Sequence, residues 1–465
     1  MPQQIKGLIM ASKYLVAFYL LGISFISPSN SLGNEKPNIL ILFADDGGYA
    51  DFGFQPDVKP DMAKMTPHID SIAAAGARFT QAYVTACVCS PSRAGLMTGR
   101  YQQRFGHDAN LPPLFPGGLP LFETFGAERL RQIGYHTCLI GKWHLGYPEE
   151  YQPNQRGFEY FYGLLQGSRS YYPYDDPTMD RVILRNDIAT PEEGYITDRL
   201  GDAACEYIES HKEEPFFLFV SFTAPHGPLE PRKGAADEKR VSHIQNAHRR
   251  KYAALIAALD DNVGKILSTL EKCGLEDDTL VIFTNDNGGP GPDKTGANNF
   301  PLKGYKGHLD EGGIRVPWAM RFPGVIQPGS VVDQPVITLD ILPTLIELTG
   351  ESVDPAWKLD GLSLLPLLRD SNAKLSDRTL YWRRNGPDGP IAIRDQDWKL
   401  IILRNSPHAT PQLYNLATDV GEENDVSSEY PEVVTRLLGK LKSWESELSV
   451  PLWHSNYGKT SQNSK

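Results

Sequence analysis

Four apolar runs, residues 38–43, 135–140, 215–222 and 279–284, decide which architectures are open to this chain. Each is nearly continuous in β-branched and aromatic residues, and helix-patterned sequence lies between them. A strand that does not alternate polar and apolar residues buries both faces. Such strands alternating with helices build a largely parallel sheet covered on both sides, so the expected fold class is α/β. The intervening helices have readable ends. Thr66 stands at an N-cap position, Pro67 at the first helical position and Gly76 just past the stop. A longer helix is expected over about 244–273, with Tyr252, Leu255, Ile256, Leu259, Val263, Ile266 and Leu270 at helical spacing and Gly274 after it. Another is expected around 340–349, and 78–84 reads as a further strand. After a polar stretch at 370–377 the character changes. Runs at 379–383, 391–394 and 398–403, with a turn at Asp395-Gln396-Asp397, suggest antiparallel strands, and an amphipathic helix follows over 431–448. The expected division is a signal segment at 1–33, a large α/β domain at 34–375 and a small C-terminal α+β domain at 376–465.

A chain of 465 residues is too long for one core of common size. Its net charge of −11 and the lack of a clustered Lys/Arg tract exclude an electrostatic footprint for nucleic acid. A polyanionic substrate would have to be held by local positive charge. At the N-terminus, Lys6 and Lys13 precede an apolar run at 14–26 and a small, polar stretch at 27–33, the pattern of an export signal. The run is short for a membrane span, although an anchor helix is the competing reading, and Met10 is an alternative start. No later segment is long and apolar enough to span, so the expectation is an exported, periplasmic or secreted protein. The five cysteines, Cys87, Cys89, Cys138, Cys205 and Cys273, show no metal-binding spacing, and an odd count in an exported protein suggests that one has another task. Cys138 and Cys205, in apolar surroundings, read as buried thiols.

In doubly wound sheets the ligand crevice lies beyond the carboxyl ends of the strands. The residues just past the four apolar runs are Asp45 and Asp46, then Lys142 and His144, then His226, then Asp286 and Asn287. Either acidic group alone reads as a turn, because Asp, Asn and Gly suit turns. Two at the ends of central strands are different. Three carboxylates brought together need a cation, and with an amide carbonyl they form a hard oxygen set suited to Ca²⁺ or Mg²⁺.

The remaining signal is Cys89-Ser90-Pro91-Ser92-Arg93, at the expected start of a helix closed by Gly99. A helix N-terminus favours an oxyanion, and equally a thiolate. The pentapeptide, with Ala94-Gly95-Leu96-Met97-Thr98-Gly99-Arg100 after it, resembles the signature of the type I sulfatases. That resemblance implies an alkaline-phosphatase-like large domain with a mixed, mostly parallel sheet, plus a small antiparallel domain. It also implies a maturation enzyme that oxidises Cys89 to formylglycine, whose hydrate is the nucleophile. The family's divalent ion, usually Ca²⁺, would be held by Asp45, Asp46, Asp286, Asn287 and the modified residue 89. Gly141-Lys142-Trp143-His144-Leu145-Gly146 is similar to the family stretch in which the lysine steadies the hydrated aldehyde and the histidine takes its proton. Lys306, before Glu311-Gly312-Gly313-Ile314-Arg315-Val316-Pro317, matches the lysine that holds the substrate sulfate, and Arg93 would bond the nucleophile and metal ligands. His226 and Lys306 would protonate the departing oxygen, and a second hydroxyl at position 89 would expel sulfate. His107 and His308 are candidate substrate contacts. Lys303 and Tyr305 depart from the family, where arginine and glycine are common.

The expected activity is hydrolysis of a sulfate ester, with a sulfated polysaccharide or its oligosaccharides as substrate. Export and tyrosines such as Tyr171, Tyr172 and Tyr174 in loop-like positions suit a carbohydrate. The competing readings are a phosphonate or phosphate ester hydrolase of the same fold and an inactive glycan-binding relative.

Overall fold

The computed structural model describes residues 36–453, apart from 179–180, 405 and 407–408. The expected signal segment lies outside the described residues. A ten-stranded sheet forms the centre. Its middle is the parallel set Thr279–Asn285, Asn38–Ala44, Phe216–Ser221, His136–Lys142 and Tyr160–Leu164, in that spatial order. Trp318–Arg321 pairs antiparallel with Thr279–Asn285, and Leu184–Arg185 antiparallel with Tyr160–Leu164, so the sheet is mixed towards its edges. The four runs expected as buried strands are all here. Every residue of Asn38–Ala44, Phe216–Ser221 and Thr279–Asn285 is buried, because helices cover both faces.

One face packs under Pro67–Ala74, Ile196–Ser210 and the long helix Ala247–Lys272, where Leu40, Leu42, Leu218, Val220, Leu255 and Leu259 meet. The other packs under Cys89–Thr98, Gly126–Gln132 and Ile341–Leu348, where Ile41, Phe43, Leu96, Leu130 and Leu342 meet. A separate antiparallel sheet, Thr379–Arg383, Ile391–Asp395, Trp398–Ile402 and Gln412–Asn415, carries the helix Pro431–Glu445. Gln396 turns its hairpin at φ 55°.

Local sequence signals are overruled in several places. The expected strand at 78–84 is split into Ala77–Phe79 and Ala82–Tyr83, because the Thr80 and Gln81 side chains bond Asp333 and the chain changes partner there. Thr66 precedes its helix but does not cap it. Its hydroxyl is taken by Gly53 N–H and Asp70, and Asp260 of the long helix instead accepts from His68 N–H (3.0 Å) and Ile69 N–H (2.8 Å). The long helix begins at Ala247, not 244, because the Asn246 side chain caps Arg249 N–H at 3.0 Å. All five cysteines are free, and Cys205 is half-buried rather than buried. Among the described residues no helix is long and apolar enough to cross a membrane.

Candidate active site

The carboxyl ends of the central parallel strands converge on one point. Asp45 and Asp46 follow Asn38–Ala44, Asp286 and Asn287 follow Thr279–Asn285, and Lys142 and Ser221 end their strands. Cys89 opens the helix Cys89–Thr98 against this edge, behind the extended residue Val88, and Gly99 closes it at φ 67°. Ligand atoms of Asp45, Asp46, Cys89 and His226 all lie within 4.8 Å of one another.

Three cations thread the carboxylates, Arg93 and Lys142 buried and Lys306 half-buried. Arg93, one helical turn after Cys89, donates from Nη2 (2.9 Å) and Nε (3.2 Å) to Asp286 Oδ2, with Asp45 Oδ2 3.7 Å away. Its Nη1 donates to Ser221 Oγ at 2.5 Å and to the Lys142 carbonyl at 3.3 Å. Lys142 Nζ donates to Asp45 Oδ2 at 2.6 Å. Lys306 Nζ lies 2.6 Å from Asp46 Oδ1 and 3.2 Å from Cys89 Sγ. Asp45, Asp46 and Asp286 thus set three negative charges against three positive ones. A divalent cation would raise that balance to a positive excess suited to a bound anionic ester.

Burial raises the pKa of Asp45, and the neighbouring Asp286 carboxylate adds to it. Burial acts the same way on Asp46 and Asp286, but Lys306 and His226 hold Asp46 below the usual carboxylate range, and Arg93 and Lys142 do so for Asp286. The Cys89 thiol is pushed up to about 12, first by burial and then by Asp286. The thiolate that a helix N-terminus could favour is therefore outweighed. A thiol kept protonated is a weak nucleophile, which suits a cysteine whose chemistry depends on conversion to another group.

Asn287 Nδ2 donates to Asp46 Oδ1 at 2.8 Å, while its buried Oδ1 has no hydrogen-bond partner. An orphaned amide oxygen beside three carboxylates is the donor set of a hard divalent cation. Cys89 Sγ stands where an oxygen of a modified side chain would lie. The residues present fit the metal that the sequence led us to expect.

Two histidines complete the surroundings. His226 Nδ1 faces the Gly227 carbonyl at 2.6 Å and must donate to it, so Nε2, 3.6 Å from Asp46 Oδ2, is the nitrogen turned towards the site. His144, at φ 63°, donates from Nε2 to the Leu111 carbonyl (3.3 Å), which leaves the buried Nδ1 an unpartnered lone pair. Burial first, then Lys142 and Arg93, push its pKa well below that of free imidazole. Ser90 Oγ donates to the His144 carbonyl at 2.8 Å, tying this segment to residue 89.

The chain matches the family described as Sulfatase over residues 37–351, and N-sulphoglucosamine sulphohydrolase, C-terminal, over residues 305–447. It belongs to the sulfatase family. Sulfatases hydrolyse sulfuric esters, and this chain is a sulfuric ester hydrolase; the family generally uses a formylglycine and a divalent metal. It is 30% identical to the uncharacterized sulfatase YdeN of Escherichia coli over 97% of this chain and 91% of that protein. It is 31% identical to N-acetylgalactosamine-6-sulfatase of Homo sapiens over 89% of this chain and 86% of that protein. Among solved structures, Ps i-CgsB in complex with k-i-k-neocarrahexaose superimposes with a TM-score of 0.85 at 34% identity, covering 92% of this chain and 96% of that one.

Within this sulfatase, all ten residues singled out from sequence lie at or beside the convergence point, His144 through Ser90 rather than by direct contact. His107 is fully buried, with Nε2 2.7 Å from Ser90 Oγ, and so supports the Cys89 helix from within. His308 is exposed and packs 4.2 Å from the Tyr305 ring. Tyr171 is not a surface aromatic. It is buried, and its hydroxyl donates to the carbonyls of Thr223 (3.0 Å) and His226 (2.8 Å), fixing the His226 loop. Ser221 was missed because it reads as the last residue of an apolar strand. Its place at a strand's carboxyl end was the available signal.

Proposed function

We propose that this sulfatase removes sulfate from a sulfated carbohydrate, with residue 89 converted to formylglycine and Ca²⁺, or Mg²⁺, held by Asp45, Asp46, Asp286 and Asn287. The observation that supports this best is the cluster of three carboxylates, three cations and the orphaned Asn287 oxygen around Cys89 Sγ. A bound divalent cation would neutralise ester oxygens as a Lewis acid, and the hydrated aldehyde would supply the attacking hydroxyl.

The protein's own groups then have separable tasks. A sulfate monoester is anionic and resists an anionic nucleophile, so Lys306 neutralises it from beside position 89. Lys306 keeps its charge because burial, which disfavours it, is outweighed by Asp46, Cys89, Asp45 and Asp286 together, which hold its pKa well above that of free lysine. His226 presents Nε2 to the site, 3.6 Å from Asp46 Oδ2, a position that suits delivery of a proton to the departing alcohol oxygen. His144, neutral and with a free Nδ1, suits the removal of a proton from the side chain at 89 when sulfate is expelled. Arg93 and Lys142 hold the carboxylates and position the site.

The carbohydrate reading draws on the solved relative in complex with a neocarrahexaose. Carrageenan-type oligosaccharides therefore lead the candidate substrates. The export signal expected at 1–33 supports a location outside the cytoplasm, where such polymers are met. Residues 34–375 form the catalytic domain in this reading and 376–465 the smaller one. Sulfate release should be measured across a panel of sulfated glycans headed by carrageenan oligosaccharides, with mass analysis of the peptide spanning Cys89. Release from aryl sulfates alone would refute the substrate, and an active enzyme carrying only cysteine at 89 would refute the nucleophile.

A further inference from the structure

The helix that Cys89 opens ends beside a second pair of cations, the half-buried Arg100 and the buried Arg129. Ten residues at about 1.5 Å each separate its two ends by about 15 Å, and Arg100 follows directly on Gly99. Arg100 lines a cavity of about 360 Å³ together with Phe122, Glu123, Thr124, Arg129 and Trp357. Arg129 comes from the helix Gly126–Gln132, and Trp357 from the short turn Pro355–Trp357.

Within this cavity Arg129 lacks an ion-pair partner among the described residues. It is 8% exposed, and its guanidinium lies 4.0 Å from the centre of the Trp357 ring. Its Nε has no hydrogen-bond partner, and among the described residues no carboxylate pairs with it as Glu123 pairs with Arg100 at 2.5 Å. Burial pushes its pKa down, and Glu128, Asp354 and Glu123 act on it only from beyond contact. The Nε of Arg100 is buried and unpartnered as well. An aromatic face replaces only part of a cation's lost hydration, and buried charges are normally paired. Arg100 and Arg129 against Glu123 leave one positive charge in excess, in a chain of net charge −11.

We propose that this cavity binds the anionic group of a sugar, a sulfate or a carboxylate, as a subsite separate from the hydrolytic centre. A guanidinium fork takes either oxyanion in a bidentate pair. The volume suits one sugar unit, and Phe122, 77% exposed at the rim, offers an apolar face to its ring. The identity of the ligand's carrier rests on the carbohydrate reading above. A polyanion gripped here would have its other sulfates kept at high effective concentration near the hydrolytic centre.

Titration calorimetry on the Cys89→Ala protein, which forms no aldehyde and turns nothing over, tests this. The probes are a sulfated disaccharide, an unsulfated uronate disaccharide and a neutral disaccharide. The sulfated disaccharide should fill two sites, and adding Arg129→Gln should remove one. The uronate disaccharide reports whether a carboxylate alone suffices, and the neutral one should not bind this cavity. Arg129→Lys, which keeps the charge but loses the fork, should retain the site with affinity at least tenfold weaker. In the enzyme with Cys89 intact, Arg129→Gln should leave aryl sulfate kcat/KM within twofold. Unchanged stoichiometry and affinity in both Arg129 variants, or equal binding of the neutral disaccharide, would overturn the proposal. One site in Cys89→Ala and none after Arg129→Gln would uphold it while sinking the carbohydrate substrate reading.

Discussion

Lys399→Met should destabilise the fold and disturb the site from a distance. Lys399 is fully buried in the strand Trp398–Ile402, with Nζ 2.9 Å from Glu311 Oε1 and 2.8 Å from Glu422 Oε1. Glu311 sits five residues after Lys306 and has other support, from Arg315 at 3.3 Å and the Tyr83 hydroxyl at 2.6 Å. Glu422 keeps only the Glu311 backbone N–H, at 2.6 Å. Methionine fills the space of the lysine stem, so the loss is almost purely the charge. Removing one partner of a buried ion pair costs about 3–5 kcal/mol, because the other charge is stranded. That cost falls on Glu422, whose pKa burial and then Glu311 already push up to about 7 against the pull of Lys399.

The sign of the pH dependence follows. Between the unfolded value of 4.5 and about 7 the folded protein binds more protons at Glu422 than the unfolded one, so its contribution is greatest at low pH and lost as pH rises through that window. Lys399→Met should therefore lose most stability near pH 8 and less near pH 5, where Glu422 can take a proton. Guanidinium unfolding at both pH values measures this, and the double variant Lys399→Met/Glu422→Gln should recover at least half of the loss. A loss below about 1 kcal/mol at pH 8, or no recovery in the double variant, would refute the reasoning.

Arg93→Lys keeps the charge but gives up the fork that joins Asp286 and Ser221; kcat should fall by about 10²–10³ with KM little changed, measured on an aryl sulfate. Gly167→Ala would put a Cβ 2.4 Å from His144 Cε1, so the ring must move; a stability cost of about 1–3 kcal/mol and a slower sulfate-release step in pre-steady-state kinetics are expected. Asn287→Ala removes the orphaned oxygen, and calorimetric titration should show at least tenfold weaker Ca²⁺ binding with the melting temperature of the metal-free protein little changed. His107 is buried, and that burial pushes its pKa down to about 3, so the unfolded state binds a proton that the folded state refuses. Stability should therefore fall as pH drops from about 6.5 towards 3, and His107→Gln should flatten that part of the stability profile.

Much of the fold was legible in the sequence because one physical requirement repeats along it. A strand buried on both faces must be apolar throughout, and 38–43, 135–140, 215–222 and 279–284 announced themselves in that way. The candidate metal and cation residues were legible for a related reason: Asp45, Asp46, Lys142, His226, Asp286 and Asn287 stand at or just after the ends of those runs, and parallel strands bring their carboxyl ends together. The Cys89 pentapeptide placed the proposed nucleophile among them. Element boundaries were read less well where distant groups intervened. Asp260 caps a helix 191 residues away in the chain at Ile69, and Asp333 splits a strand more than 250 residues from it.

What only the tertiary structure decided is the state of each group. A sequence names carboxylates and cations, but not which lie 2.6 Å apart, and at that range in a buried site the pairing sets every charge. Three-dimensional packing alone pushes the Cys89 thiol up to about 12, frees Nδ1 of His144 and recruits Ser221. It also turns Tyr171 inward to hold His226 and leaves Nε of the buried Arg129 without a hydrogen-bond partner. Desolvation and short-range electrostatics depend on distance and burial, and these exist only once the chain has folded.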